Sequence, residues 1–386
     1  MPLQRTLFAD EHDAFRETCR TYFAKHAVPN NERWARDGIV DREAWREAGR
    51  QGLLGFAVDE KYGGGGVRDF RFNVVLGEEQ IRAQATGLGF PVHVDLILPY
   101  LERLATEEQK ERWLPGYCTG DIITAIAMTE PGTGSDLQSI KTTAIRSSSS
   151  GGDHYVLNGQ KTFITNGIHS DLVIVAAKTD PEQGAGGLSL IAVERDTPGF
   201  ERGRNLDKIG LKAQDTAELY FSDARVPAEN LLGEEGQGFV YLMQNLVRER
   251  MTIAVAAVAA AEAVLDLTME YCKSRTAFGR PIGKFQHNRF LLAELATEVT
   301  IARTFIDRCI EDHNAETLDI PTAAMAKWWT TELQTKVVDR CLQLHGGYGY
   351  MSEYPIAQAF IDSRVQTIYG GTTEIMKEIV GRSLGF

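Results

Sequence analysis

The run LMQNLVRERMTIAVAAVAAAEAVLDLTMEYCKSR, residues 242–275, holds neither proline nor glycine and is rich in alanine. Alanine is the least costly helix residue, and Pro and Gly are the ones that interrupt a helix. At about 1.5 Å of rise per residue the run spans roughly 50 Å as one helix. Its apolar centre, AVAAVAAAEAVL at 254–265, is broken by Glu262 and is too short and too weak to cross a bilayer. No membrane span is expected.

On the C-terminal side, 285–312 and 321–344 are further helical stretches. On the N-terminal side the texture changes. Between 121 and 235, short runs (IITAI, DLVIVAA, LSLIAVE, AELYF) alternate with turn chemistry such as SSSSGGD, LNGQ, TNG and TPG. That pattern predicts an antiparallel β insertion of five to eight strands. RSSSSGGDHY, 146–155, reads as a solvated hairpin tip. Residues 1–120 return to helix: DEHDAFRETCRTYFAKHA places Phe15, Cys19, Tyr22 and Phe23 on one face. KYGGGGVRD, 61–69, reads as a flexible connection. Three domains follow, 1–120 helical, 121–235 β and 236–386 helical.

The bulk numbers exclude several classes. A net charge of −12 over 386 residues argues against non-specific nucleic-acid binding, which needs Lys and Arg on phosphates. Five widely spaced cysteines, with no CxxC and no Cys/His cluster at zinc spacing, suggest reduced thiols and no metal site. The N-terminus has no apolar segment of signal-peptide type, so a cytoplasmic location is expected. No GxGxxG follows a strand, and GxxxxGK[ST], HExxH and GxSxG are missing, which leaves a Rossmann site, a P-loop, a zincin and a serine hydrolase unsupported.

Five stretches stand out from generic structure. AMTEPGTGSD (127–136) ends a strand in a Pro-Gly turn whose N–H groups suit an anion or a heterocycle. GQKTFITNG (159–167) presents Phe163 and Thr165 from a strand. SRTAFGRPIGKFQ (274–286) ends the long helix in a basic, aromatic turn. QLHGGYGYMSEYP (343–355) and RVQTIYGGTTEIM (364–376) carry glycines that let backbone come close to a partner.

Together and in this order the five resemble the acyl-CoA dehydrogenase family, and GLKAQDTAELYF (210–221) with YGGTTEIMKEIV (369–380) is similar to its long-chain branch. The resemblance implies a mostly α fold with a middle β-domain and a C-terminal four-helix bundle. It also implies FAD in a cleft between the β-domain and the C-terminal helices. Met128, Thr129, Gly134, Ser135, Phe163 and Thr165 match flavin-contacting positions. Arg275, Phe278, Gln286, Gln343 and Gly347 match positions that reach the FAD of a neighbouring subunit, which implies a homo-oligomer, usually a tetramer. Thr372 and Glu374 match positions that close over the cofactor. Ser135, Arg250 and Tyr369 match the substrate side. The implied partners are an acyl-CoA substrate and an electron-transfer flavoprotein.

The family removes an α-proton from an acyl thioester while the β-carbon passes hydride to the flavin, which demands a positioned carboxylate. Many members carry it directly after the Tyr of the fifth stretch, but here Tyr369 is followed by Gly370. In the long-chain and isovaleryl branches the base stands on the long helix, in a Glu-Arg sequence. NLVRERM, 245–251, supplies Glu249 there, 26 residues before Arg275. An RER run is ordinarily a solvated charge run; the register with Arg275 and the missing carboxylate at 370 reverse that reading. Glu234, Glu235 and Glu374 are the acidic alternatives. The backbone N–H of Gly370 matches the family's donor to the thioester oxygen. Pocket depth falls to FPVHVDLILPYLERL, 90–104. The competing readings are an acyl group on a carrier protein, a flavin-binding relative without the reaction, and a nitroalkane oxidase.

Overall fold

A computed structural model describes residues 4–149 and 152–386. The N-terminal helices are α1 (Asp10–Tyr22), α2 (Asn31–Asp37), α3 (Arg42–Arg50), α4 (Phe70–Arg82), α5 (Leu98–Leu104) and α6 (Glu107–Thr119). A capping box starts α6: the Gln109 N–H donates to the Thr106 hydroxyl, and the Thr106 N–H donates to the Gln109 side chain. A π-helical segment, Pro91–Ile97, runs straight into α5.

The glycines of 61–69 are not a flexible link. The N–H groups of Gly65, Gly66 and Val67 donate to Gly55, Val58 and Phe56. A Cβ on Gly64 would stand 2.0 Å from the Val58 carbonyl oxygen. Gly64 and Gly65 are there for close packing, which composition alone does not distinguish from looseness.

The middle region holds β1 (Thr124–Ala127), β2 (Thr143–Ser149), β3 (Gly152–Thr165), β4 (Leu172–Lys178), β5 (Leu188–Glu194), β6 (Phe200–Asn205), β7 (Thr216–Pro227) and β8 (Leu231–Leu232). They form one sheet in the order β6-β7-β3-β2-β4-β5-β8, with β1 beside β4. The β2–β3 hairpin runs in register from Thr143↔Asn158 to Ser149↔Gly152; residues 150 and 151 of its expected tip lie outside the described residues. The sheet is antiparallel with an exception at β4. There β1 pairs parallel, Thr124↔Leu172 to Ala127↔Val175, and Thr143 makes one parallel bridge. Apolar runs carry no direction, so the sequence could not signal this. Leu172, Ile174 and Ala176 face the N-terminal core, while Val173, Val175 and Ala177 face the other side. A strand covered on both faces reads as a continuous apolar run.

The C-terminal part comprises α7 (Gly238–Ser274), the short hairpin β9 (Thr276–Ala277) and β10 (Arg280–Pro281), α8 (Gln286–Asn314), α9 (Ile320–His345), α10 (Pro355–Ser363) and α11 (Thr373–Ser383). By length and composition α7 could cross a membrane, a broader signal than the 254–265 run gave. Its Val255, Val258, Val264 and Leu265 instead join one core with Val74 of α4, Leu295 and Ile306 of α8, and Val337 of α9. Glu78 on α4 is fully buried and accepts from Arg5, Arg16 and Arg303 at 2.9–3.1 Å, pinning the N-terminal arm, α1 and α8 together. Cys19, Cys118, Cys272, Cys309 and Cys341 are free and buried.

Candidate active site

Three groups of the residues singled out from sequence lie in three places. The first is where β1 leaves the sheet. The Thr162 N–H donates to the Thr129 carbonyl at 2.9 Å. Lys161, 1% exposed, donates to the Met128 carbonyl at 3.0 Å and to Glu130 at 2.8 Å. Glu130 in turn accepts from the N–H groups of Lys141 and Thr142. Burial pulls the Lys161 ammonium down to about 8 although Glu130 opposes it. The turn 128–135 is therefore fastened to β3 by a buried ion pair, a device hidden in the sequence because Lys161 sits in an otherwise ordinary hairpin strand.

β3 bulges between Lys161 and Ile164. Phe163 there has φ +60° and is 68% exposed. Left-handed backbone is costly for an aromatic residue, and the bulge presents its ring outside the sheet. Thr165, half-buried, ends β3. Gly134 and Ser135 are exposed, and among the described residues no bond engages their N–H groups.

The second group lies where α7 and α9 end. The Arg275 guanidinium lies over the Tyr348 ring at 5.5 Å, and the Tyr271 hydroxyl donates to the His345 carbonyl. Phe278 has φ +51° and is 95% exposed. Gln286 opens α8, Gln343 is in the last turn of α9, and Gly347 follows it. Among the described residues, no hydrogen bond or ion pair joins this group to the turn 128–135.

The third group surrounds Glu249. The side chain is 3% exposed, and burial pushes its carboxyl up to about 7; the Tyr100 hydroxyl, donating at 3.4 Å, and Arg250 offset this only in part. Arg250 is 4% exposed and its Nε has no partner among the described residues. Asn245, Glu249 and Ile253 follow one another at single-turn spacing along α7. A Cβ on Gly370, whose φ is +65°, would stand 2.3 Å from Ile253 Cδ1. Gly370 thus packs on the same stripe of α7 that carries Glu249. Lys327 of α9, 0% exposed, donates to the Gly371 carbonyl at 2.6 Å. Burial first, and then Arg250, lower its ammonium to about 8. Tyr369 is exposed beside Gly370. The Thr372 hydroxyl caps α11 by accepting from the Ile375 N–H, and Glu374 stands exposed in the first turn.

Two contacts tie neighbouring segments to the β region. The Leu211 N–H, in the connection from β6 to β7, donates to Asp362 of α10 at 2.5 Å, and His93 of the π-helical segment meets the Thr124 hydroxyl of β1 at 2.8 Å. Tyr100, Lys161 and Lys327 were not found from sequence. Tyr100 is 149 positions from its partner, and no sequence motif sets either lysine apart. A buried carboxylate raised to about 7, on the helix that packs against Gly370, whose N–H has no partner among the described residues, can accept a proton from a weak carbon acid.

Models of the N-terminal, middle and C-terminal domains of acyl-CoA dehydrogenases match residues 9–121, 125–224 and 236–385. The mouse (Mus musculus) long-chain specific acyl-CoA dehydrogenase is 50% identical over 382 residues, covering 98% of this chain and 88% of the mouse protein. The crystal structure of an acyl-CoA dehydrogenase from Geobacillus kaustophilus is 51% identical with a TM-score of 0.96, over 99% of this chain and 100% of that one. An acyl-CoA dehydrogenase from Bacillus anthracis, solved complexed with FAD, is 32% identical with a TM-score of 0.90, over 98% of this chain and 68% of that one.

Proposed function

The chain belongs to the acyl-CoA dehydrogenase family, and from that premise we propose that it oxidises long-chain or branched acyl-CoA thioesters to trans-2-enoyl-CoA with Glu249 as the base. The observation that carries this reading is the placement of Glu249. It is a buried carboxylate raised to about 7, on the α7 stripe where Ile253 fills the space beside Gly370. Glu249 takes the α-proton. The Gly370 N–H, free of other partners among the described residues, donates to the thioester oxygen and stabilises the charge that develops there. Arg250 adds a buried positive charge beside the base, and Tyr369 and Ser135 lie on the substrate side.

The residues of the 128–135 turn fit FAD: unengaged N–H groups at Gly134 and Ser135 suit its polar edge, and the outward ring of Phe163 suits a flat heterocycle. Met128, Thr129, Thr165, Thr372 and Glu374 would complete that contact, and bound FAD would supply the acceptor for the β-hydrogen. Arg275, Phe278, Gln286, Gln343 and Gly347 serve the FAD of a neighbouring subunit. Their support is that, among the described residues, no hydrogen bond or ion pair joins them to the 128–135 turn, and that Phe278 at 95% and Tyr350 at 85% exposure present bare aromatic surface. The assembly is then a homo-oligomer, a tetramer, that hands its electrons to an electron-transfer flavoprotein.

The test mixes the flavin-loaded protein anaerobically with straight and branched acyl-CoAs of graded length and follows the loss of visible flavin absorbance. Fastest bleaching by long or branched chains is expected. No bleaching by any CoA ester would refute the reading.

A further inference from the structure

Helix α5 presses Tyr100 against the turn of α7 that carries Glu249. The tyrosine is 0% exposed, and its hydroxyl donates to Glu249 Oε1 at 3.4 Å. The side chain of Asn245, one turn before Glu249, lies near the same hydroxyl and favours its acidity. A phenol oxygen can accept from an amide N–H while its own O–H donates elsewhere. The phenol's single proton is directed to the carboxylate.

Resting on the reading of Glu249 as the base, we propose that Tyr100 is a positioning residue. It anchors Oε1 so that Oε2 faces the substrate's α-carbon, and it sets the pH at which the carboxylate is ionised. Tyr100 keeps its proton throughout; only the α-proton moves, to Oε2.

The remaining charges around Glu249 do not duplicate this role. Arg250 follows it on α7 and acts on it through charge. Lys327 of α9 faces Arg250 and donates to the Gly371 carbonyl. Asp95, from the π-helical segment, is engaged by Asn73 and Arg248. The glycine pair brings no side chain. A core position needing only volume would accept Phe, and burying a hydroxyl there is costly unless it is bonded. Burial alone drives the Glu249 carboxyl upward, and a donor to the charged form opposes this.

The experiment compares wild type, Tyr100→Phe and Glu249→Gln as flavin-loaded proteins. It measures the rate of anaerobic flavin reduction by a saturating acyl-CoA across neutral pH, together with the acyl-CoA dissociation constant. Wild type should lose rate below an inflection near pH 7. Tyr100→Phe should move that inflection up by about one unit, with acyl-CoA binding changed less than about twofold. An unmoved inflection, whatever the rate, would overturn the inference. If Glu249→Gln reacts as fast as wild type, the base itself is misassigned; if it is slow and Tyr100→Phe keeps the wild-type profile, only the role of Tyr100 fails. Should Tyr100→Phe not fold, Asn245→Ala weakens the same phenol as a donor. It should shift the inflection upward by a smaller amount, and no shift there overturns the inference equally.

Discussion

Ile253 Cδ1 occupies, to within 2.3 Å, the place a β-carbon on Gly370 would take. Ile253 lies one turn beyond Glu249, so the helix that bears the acid also fills the space where a side chain at 370 would begin. In the proposed reading this is why a carboxylate at one position goes with glycine at the other.

Gly370→Ala should therefore cost about 1–2 kcal/mol from left-handed backbone strain alone, and more from the collision. Ile253→Val deletes the very atom in the way. The double variant should recover part of the loss, with a coupling of at least about 0.5 kcal/mol in a double-mutant cycle of denaturant unfolding. Strictly additive effects would mean that the two residues do not share that space.

Glu249 should weaken the fold as pH rises. Its carboxyl is raised from 4.5 to about 7 by burial. The folded state thus holds a proton that the unfolded chain releases, and the stability linked to it is complete below pH 4.5 and lost as pH climbs through 7. At about 1.4 kcal/mol per unit the loss approaches about 3 kcal/mol. Glu249→Gln should match wild type at acid pH and exceed it above pH 8, measured by urea unfolding. A gap independent of pH would remove the raised carboxyl from the account.

Lys327 holds the Gly371 carbonyl from a fully buried position. Lys327→Met keeps the length of the side chain, removes the donor and leaves a part-buried carbonyl unpaired, a loss of about 1 kcal/mol or more. The loop at 369–372 should gain amide exchange while β3 and α8 keep theirs. Uniform protection across all three would show that the ammonium does not secure the loop.

For Lys161→Met the expectation lies with the cofactor. The ion pair with Glu130 fastens the 128–135 turn, and removing one partner leaves a buried carboxylate exposed to its full desolvation cost. The variant should purify with less flavin and rebind FAD at least about tenfold more weakly, by fluorescence titration. Unaltered FAD affinity would separate the ion pair from cofactor binding.

Much of this architecture was legible before any coordinates. Freedom from Pro and Gly foretold α7 and turn chemistry foretold the β2–β3 hairpin, while it was the resemblance to the long-chain branch that pointed to Glu249 among the carboxylates. What escaped reading was long-range pairing. Tyr100 meets Glu249 across 149 positions, Lys327 meets Gly371 across 44, and β1 lies parallel to β4. Neither periodicity nor composition encodes which distant donor a buried acceptor finds. The glycines at 63–66 misled for a related reason, since the lack of a Cβ serves tight packing and flexibility alike.

The most direct measurement is single-turnover flavin reduction, without oxygen, by a long-chain acyl-CoA in wild type and Glu249→Gln. The account predicts rapid bleaching of wild type and a variant slowed by about 10²-fold or more, the lower range for a positioned base. Equal rates in the two proteins would contradict it and place the base elsewhere.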